Sequence, residues 1–258
     1  MFFKDQLNRT IELADYPKRI VSIVPSQTEL LFDLGLDEEV VGITKFCVHP
    51  HQWFKTKTRV GGTKRVDIAR VSALQPDLII ANKEENLKED VEALEQIAPV
   101  WISDIKTFED ALQMIEKIGE IVNKKQEANN LVNAIQIEFK QLKQKSAKSC
   151  CYLIWQNPYM TVGGDTFIND MFQYCGLQNV FADKERYPIV TIDDIQKAAP
   201  AMVLLSSEPY PFKQKHIVEL QQHLPNSKII LVDGEMFSWY GSRLLKAATY
   251  FQEFIKVH

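Results

Sequence analysis

Thiol and imidazole side chains occur together in one short segment of the sequence. Cys47-Val48-His49-Pro50-His51 carries donor types that bind Zn, Cu, Ni or Co. Alternate residues of an extended segment point the same way, so Cys47 and His49 could bind one metal ion. No CxxC or other zinc-site spacing supplies further ligands. A loop with a buried thiol and solvated imidazoles is therefore the alternative, and buried free thiols are expected for all four cysteines.

Two glutamates hold equivalent positions relative to a proline in the two halves of the chain. Glu84 and Glu208 lie eight residues after Pro76 and Pro200, respectively, and an apolar run separates each pair. We expect the two carboxylates to bind a cation or a hydroxyl-rich ligand. Two solvated loop acids are the alternative.

Aromatic side chains are concentrated in loops of the C-terminal half. They are Trp155, Tyr159, Tyr210, Trp239 and Tyr240. Each could pack in a core, but we expect at least two to contact a large, flat or apolar ligand. Arg243 follows the last of these loops and could pair with an anionic group or have a structural role.

Short apolar runs and helical patterns alternate in the first hundred residues. Strands are predicted at residues 19–24, 40–43, 77–81 and 100–102, which indicates a mostly parallel sheet with helices on both faces. Ser26 and Glu29 have the spacing of a capping box, so we expect a helix that begins there and ends at Gly35.

Residues 107–145 lack proline and repeat apolar side chains at helical spacing. The pattern is too irregular for coiled-coil heptads and favours one long helix with a bend near Asn123. Beyond it, residues 195–205 repeat the helix, proline and strand pattern of residues 71–80. The sequence thus predicts an α/β fold of two similar lobes, residues 1–106 and 148–258, joined by a backbone helix at residues 107–147.

The carboxyl ends of parallel strands are where ligands bind in such sheets. If the two lobes face each other, their strand-end loops line one cleft. Further loop residues expected to contact a ligand there are Ser26, Phe46, Thr63 and Lys83. The glycine turn at residues 61–62 would let backbone approach the ligand. No phosphate-binding loop, GxGxxG, hydrolase elbow or zincin motif is present, so we expect a binding protein that is not an enzyme.

Composition excludes other classes of protein. The chain has 258 residues and a net charge of −4, which argues against a nucleic-acid partner. No apolar run approaches the roughly 20 residues that span a bilayer. The first residues lack a signal sequence, so we predict a cytoplasmic monomer, or a periplasmic or lipid-anchored protein if a leader has been removed.

Several segments together resemble a known family. They are residues 19–36 (RIVSIVPSQTELLFDLGL), 40–42 (VVG), 5–11 (DQLNRTI), 74–79 (LQPDLI) and 175–177 (CGL). As a set they resemble class III (cluster A) substrate-binding proteins of ABC importers, and most of all the cobalamin-binding branch, the helical-backbone metal receptors. The resemblance implies two α/β lobes joined by one long helix. It also implies no obligatory cofactor, and a ligand such as cobalamin, haem, a siderophore or a metal ion.

The resemblance also assigns individual positions. Two first-lobe tryptophans of the cobalamin binders fall near Thr63 and Asn82, which are not aromatic, whereas a second-lobe aromatic falls on Tyr187. The acid with which the second lobe docks on the transporter falls on Asp193. Its first-lobe counterpart falls on Ala69, and this departure weakens the case for an ABC permease partner.

Two functions remain open from the sequence. The first is a receptor that binds a metal complex or corrinoid by a small closure of its lobes. The second is a chelatase-like enzyme that inserts a metal into a tetrapyrrole, with His49 as metal ligand and Glu84 or Glu208 as base.

Overall fold

The structure, a computed structural model, describes residues 1–142 and 147–258. The chain divides into two compact units. Unit 1 contains Met1–Ile105, Glu109–Ile135 and Trp239–Leu244, and unit 2 contains Lys106–Phe108, Gln136–Ser238 and Leu245–His258. The predicted class, two α/β lobes with parallel sheets, is confirmed.

Unit 1 is built on a parallel sheet. The strands of unit 1 are β1 (Phe2–Lys4), β2 (Thr10–Glu12), β3 (Ile20–Ser22), β4 (Val40–Ile43), β5 (Thr58–Arg59), β6 (Gly61–Gly62), β7 (Arg65–Val66), β8 (Leu78–Asn82) and β9 (Val100–Ser103). Strands β1 and β2, and strands β6 and β7, form separate antiparallel pairs. The first helices of unit 1 are α1 (Pro25–Asp33), α2 (His51–Thr56), α3 (Ile68–Ala73) and α4 (Lys88–Leu94). The sheet has the order β5-β4-β3-β8-β9 and every pairing in it is parallel. Strands β3 and β8 are buried along their whole length, which is why they read as continuous apolar runs.

Unit 2 is built on a second parallel sheet. Its strands are β10 (Lys148–Leu153), β11 (Leu177–Asn179), β12 (Met202–Ser206) and β13 (Lys228–Val232), in the order β11-β10-β12-β13. Its helices are α7 (Phe167–Phe172), α8 (Ile192–Ala198), α9 (Gln214–His223), α10 (Gly234–Ser238) and α11 (Leu244–Val257), with a 3₁₀ turn at Gln173–Cys175. The first residue of α11 belongs to unit 1.

The internal repeat predicted from the sequence is present in both sheets. Without its edge strand β5, the sheet of unit 1 has the order β4-β3-β8-β9, which matches the order β11-β10-β12-β13 of unit 2. In both, the first of these four strands in the chain lies between the second and the third. Helix α3 precedes β8 in unit 1, and helix α8 precedes β12 in unit 2. Both helices are followed by a left-handed residue and then a proline: Gln75, with a φ of 47°, precedes Pro76, and Ala199, with a φ of 44°, precedes Pro200. A left-handed residue followed by proline stops a helix, so the shared helix, proline and strand pattern encodes a shared turn.

The prediction of a single linking helix is wrong. Two helices, α5 (Phe108–Ile121) and α6 (Lys125–Lys140), occupy this stretch, and the predicted residues 143–146 lie outside the described ones. Asn123 has a φ of 58°, and the Lys124 N–H donates to Gly119 O at 2.7 Å. This is the hydrogen bond that closes a helix at a left-handed residue. Gly119 also lets Ala128 approach, since a Cβ there would lie 2.2 Å from the Ala128 Cβ.

The predicted capping box is also wrong. Helix α1 begins at Pro25, and its N-cap residue Val24 makes no side-chain cap. Proline is preferred at the first position of a helix, and this preference outweighs the Ser26–Glu29 spacing. Ser26 and Glu29 therefore lie inside the helix, where both are buried.

Candidate ligand-binding surfaces

Loops that follow β4 and β8 form the carboxyl-end surface of unit 1. Phe46, after β4, is 51% exposed, and Val48 and Leu87 are exposed apolar neighbours in the same two loops. The Lys45 Nζ lies 5.1 Å from the centre of the Phe46 ring. A Cβ on Gly62 would lie 3.2 Å from the Phe46 ring, so the turn that leads to half-buried Thr63 packs against this side chain. Phe46 and Thr63 are therefore together, as a shared ligand surface requires.

Asn82 has a structural role at this edge. Its side-chain oxygen accepts hydrogen bonds from the backbone N–H groups of Glu84 and Glu85, at 2.8 and 3.0 Å. It is buried, so the position that the resemblance assigns to a ligand-contacting tryptophan shapes the loop instead. The loop then presents Lys83, which is exposed and lies 2.5 Å from Asp104, and half-buried Glu84.

The segment Trp239–Leu244 packs on the same loops within unit 1. Tyr240 Oη donates to Glu85 Oε1 at 2.8 Å, and the Trp239 ring meets the His49 ring edge-on with centres 5.5 Å apart. Burial and the neighbouring Glu85 raise the pKa of Tyr240, so its phenol stays a hydrogen-bond donor. Both aromatic side chains are buried. They anchor this segment to unit 1, and ligand contact by either ring stays a prediction.

Arg243 completes the anchor. Its Nε and Nη2 lie 2.7 and 2.8 Å from the two carboxylate oxygens of Glu29, and its Cζ lies 4.7 Å from the centre of the Trp239 ring. Arg243 is 4% exposed. Arg243 therefore has a structural role inside unit 1. Ligand contact by Arg243 and by buried Ser26 stays a prediction.

Cys47, one of the two predicted metal ligands, is buried in unit 1. Its Sγ accepts a hydrogen bond from Thr28 Oγ1 at 3.1 Å and lies 3.2 Å from Thr44 Oγ1. Burial raises the pKa of the Cys47 thiol to about 11, which opposes the thiolate that a metal ion needs. Within residues 1–142 and 147–258 no three His, Cys, Asp or Glu side chains form a group that could hold a metal ion. In this structure Cys47 is a buried thiol and the His49 ring packs on Trp239. Metal binding by the pair stays a prediction.

The carboxyl-end surface of unit 2 carries an exposed tryptophan. Trp155 follows β10 and is 40% exposed, and its ring meets the Tyr210 ring at 5.6 Å and 68°. The chain turns back at Met160, which forms bridges with both Trp155 and Ile189. Ile189 is 62% exposed. An aromatic and an aliphatic side chain thus face solvent where a parallel sheet usually binds its ligand.

A polar network lies beside this surface. Tyr210 Oη donates to Gln156 Oε1 at 2.8 Å, and Gln156 Nε2 lies 3.2 Å from Tyr159 Oη. Burial raises the pKa of Tyr159, and the nearby Glu219 and Tyr210 raise it further. Tyr159 therefore stays neutral and can hydrogen-bond a polar group of a ligand.

The remaining predicted residues of unit 2 lie at its surface. Glu208 is half-buried and accepts a hydrogen bond from Ser238 Oγ at 2.8 Å. Tyr187 is half-buried, with the Arg186 Cζ 5.8 Å from its ring centre. Asp193 is exposed in the first turn of α8, and Ala69 is exposed in α3. Ligand contact by Glu84 and Glu208, and docking through Asp193, stay predictions.

Sequence reasoning missed Val48, Leu87 and Ile189. Each is a single aliphatic residue in a loop, and nothing in its type distinguishes an exposed side chain from a core one. Ile189 could have been noticed, because it stands two residues after Tyr187 in a segment without helical or strand periodicity.

The chain belongs to the periplasmic binding protein family, whose model matches residues 20–227. A relative, the uncharacterized ABC transporter substrate-binding lipoprotein YvrC of Bacillus subtilis, is 29% identical over 78% of this chain and 67% of its own length. The vitamin B12-binding protein of Vibrio campbellii is 27% identical over 73% of this chain and 70% of its own length.

Solved structures show the same fold. The periplasmic vitamin B12 binding protein BtuF of Vibrio cholerae superimposes with a TM-score of 0.78 at 21% identity, over 94% of this chain and 98% of the other. The periplasmic haem-binding protein BhuT, in complex with two haems, has a TM-score of 0.82 at 18% identity, over 93% and 98%.

Family membership confirms the prediction of a binding protein. Nothing in these comparisons supports the chelatase alternative. The predicted cytoplasmic location is not supported either, because the family is periplasmic and one relative is a lipoprotein. None of the helices in the described part of the chain is both long and apolar enough to span a membrane.

Proposed function

We propose that this protein is the solute receptor of an ABC importer and that its ligand is a corrinoid of the vitamin B12 type. The observation that carries the proposal is the exposure of Phe46 and Trp155, each just beyond the carboxyl end of a buried parallel strand. Aromatic faces in such places suit a broad, flat metal complex. Several sequence relatives bear the name vitamin B12-binding protein, which supports the same ligand class.

Polar groups in loops at the carboxyl ends of the same two sheets suit the amide-bearing rim of a corrinoid. Lys83 and Glu84 stand in the loop after β8, and Tyr159 and Glu208 stand in the loops after β10 and β12. They supply both donors and acceptors, which amides need. A bare metal ion is a poorer candidate, because the described residues hold no cluster of three ligating side chains.

The ligand class is tested by titration. Cyanocobalamin, haemin, Zn²⁺ and Ni²⁺ are added separately to the purified protein, and binding is followed by calorimetry and absorbance. We expect one-to-one binding of cyanocobalamin with a dissociation constant at or below about 1 μM, that is, about 8 kcal/mol of binding free energy. If the protein binds haemin tightly and does not bind cyanocobalamin, the ligand is a planar tetrapyrrole instead of a corrinoid. Binding of neither would reject the proposal.

The importer role is tested separately, because a protein can bind the ligand without docking on a membrane permease. The ATPase activity of the host's corrinoid permease in nanodiscs is measured with the loaded receptor. We expect stimulation that Asp193→Lys reduces. The matched control is Asp183→Lys, which changes another acid at the surface of unit 2. Equal effects of the two substitutions would contradict docking through α8.

A further inference from the structure

Gln156 stands next to Trp155 in the chain, but its side chain is buried whereas that of Trp155 is exposed. It is 9% exposed, and its side chain is enclosed by three hydrogen-bonding neighbours. Tyr210 Oη donates to Oε1 at 2.8 Å, and Nε2 lies 3.2 Å from Tyr159 Oη. Nε2 also lies 3.3 and 3.4 Å from the two carboxylate oxygens of Glu219. Both the oxygen and the nitrogen of the Gln156 amide therefore have hydrogen-bond partners.

Only one orientation of this amide satisfies its neighbours. The Glu219 carboxylate can only accept hydrogen bonds, so the NH₂ group of Gln156 must face it and Oε1 must face Tyr210. His216 supports the same direction, because the Lys213 backbone N–H donates to its Nδ1 at 2.7 Å. The hydrogen of the neutral ring then lies on Nε2, which is 3.4 Å from Tyr210 Oη. The Tyr210 hydroxyl hydrogen is thus left for Gln156.

This network reaches Trp155 by two routes. The Gln156 side chain restrains the backbone that carries Trp155, and the Tyr210 ring packs edge-to-face on the Trp155 ring at 5.6 Å. The Tyr210 ring is itself packed against Phe212, with centres 4.7 Å apart. An exposed indole ordinarily samples several rotamers, and ordering it on binding costs free energy. The contact with the Tyr210 ring restricts the rotamers that are open to Trp155.

We propose that Gln156, together with Tyr210 and Glu219, positions Trp155 as a pre-ordered platform for the ligand. The three are positioning residues and act through Trp155. The proposal rests on the proposed function for its ligand, but the order of the indole in the free protein is independent of any ligand.

Two substitutions and their combination test the network. Gln156→Glu keeps the size of the side chain but sets a second carboxyl group against that of Glu219, so the NH₂ donor between Glu219 and position 156 is lost. Glu219→Gln alone keeps a group that can accept from Gln156. In the double variant the amide introduced at position 219 donates to the carboxylate introduced at position 156, which also accepts from Tyr210 and Tyr159. Donors and acceptors are then paired again.

The main measurement is iodide quenching of tryptophan fluorescence in the free protein. Trp53, Trp101 and Trp239 are buried, so iodide reports chiefly on Trp155. We expect Gln156→Glu to increase quenching and to weaken cyanocobalamin binding about tenfold. The double variant should return quenching to the original value and affinity to within a factor of about two. Glu219→Gln should increase quenching less than Gln156→Glu does, because it keeps a group that can accept from Gln156.

The outcomes separate the two proposals. If Gln156→Glu leaves quenching unchanged, or if the double variant is not rescued, the positioning role is wrong whatever the ligand. If the unmodified protein binds no cyanocobalamin but quenching follows the expected pattern, the ligand class is wrong and the positioning role stands. Tyr210→Phe, which removes only the hydroxyl, replaces Gln156→Glu if circular dichroism shows that the latter does not fold; it should also increase quenching.

Discussion

Arg243 and Glu29 lie 214 residues apart in the chain and form a two-pronged ion pair within unit 1, at 2.7 and 2.8 Å. Both side chains are about 95% buried. The pair fastens the segment Trp239–Leu244 to helix α1, so residues from the C-terminal part complete unit 1.

Breaking this pair should strongly destabilise the protein. Arg243→Met removes the guanidinium that neutralises the buried Glu29 carboxylate, which costs about 3–5 kcal/mol of unfolding free energy. Urea unfolding followed by circular dichroism measures the loss. The double variant Glu29→Met with Arg243→Met removes both charges and should lose less than Arg243→Met alone. A double variant that is less stable than Arg243→Met would contradict this account.

Alkaline pH should reduce stability in part through Cys47. Its thiol pKa rises from an ordinary 9.0 to about 11 because the group is buried. The unfolded chain releases this proton first, so the contribution is complete below pH 9 and is lost as pH rises towards about 11. Its size is on the order of 2 kcal/mol.

Cys47→Ala isolates this effect. Buried Cys151 has a pKa raised to about 12 and adds its own slope, so the comparison is between the two proteins at each pH. The unfolding free energy of Cys47→Ala should fall less steeply between about pH 9 and 11. Parallel curves for the two proteins would show that Cys47 is not protected in this way.

Removing an exposed ring from either carboxyl-end surface should weaken ligand binding. We expect Trp155→Ala and Phe46→Ala each to raise the dissociation constant for cyanocobalamin about tenfold, as loss of stacking and apolar contact predicts. Phe2→Ala is the matched control, because Phe2 is exposed in β1 and does not follow a strand of either parallel sheet. Calorimetry gives all three values. A Phe2→Ala effect as large as the other two would argue against specific surfaces.

The break between α5 and α6 should depend on the residue at position 123. Asn123 has a φ of 58°, where an ordinary side chain costs roughly 1–2 kcal/mol. Asn123→Ala should therefore lower the unfolding free energy, whereas Asn123→Gly should leave it nearly unchanged. Thermal unfolding distinguishes them. A stabilising Asn123→Ala would instead indicate one continuous helix.

The sequence by itself determined the class of fold and its internal repeat. Apolar runs such as residues 77–81 and the helix, proline and strand pattern around Pro76 and Pro200 are local features, so local patterns encode them. They also predicted which loops follow strands, and hence that Phe46 and Trp155 stand at carboxyl ends. The sequence predicted a bend near Asn123, where the structure has a break between α5 and α6. It did not predict the close approach of Gly119 and Ala128.

Only the tertiary structure decided which side chains face solvent. Trp155 and Trp239 are alike in type and both lie in polar loops, yet one is exposed and the other packs on His49 and Arg243. Cys47 became a buried thiol because Thr28 and Thr44 enclose it. Such contacts depend on the packing of segments that are distant in the chain, whereas periodicity records only the face that each segment buries on its own.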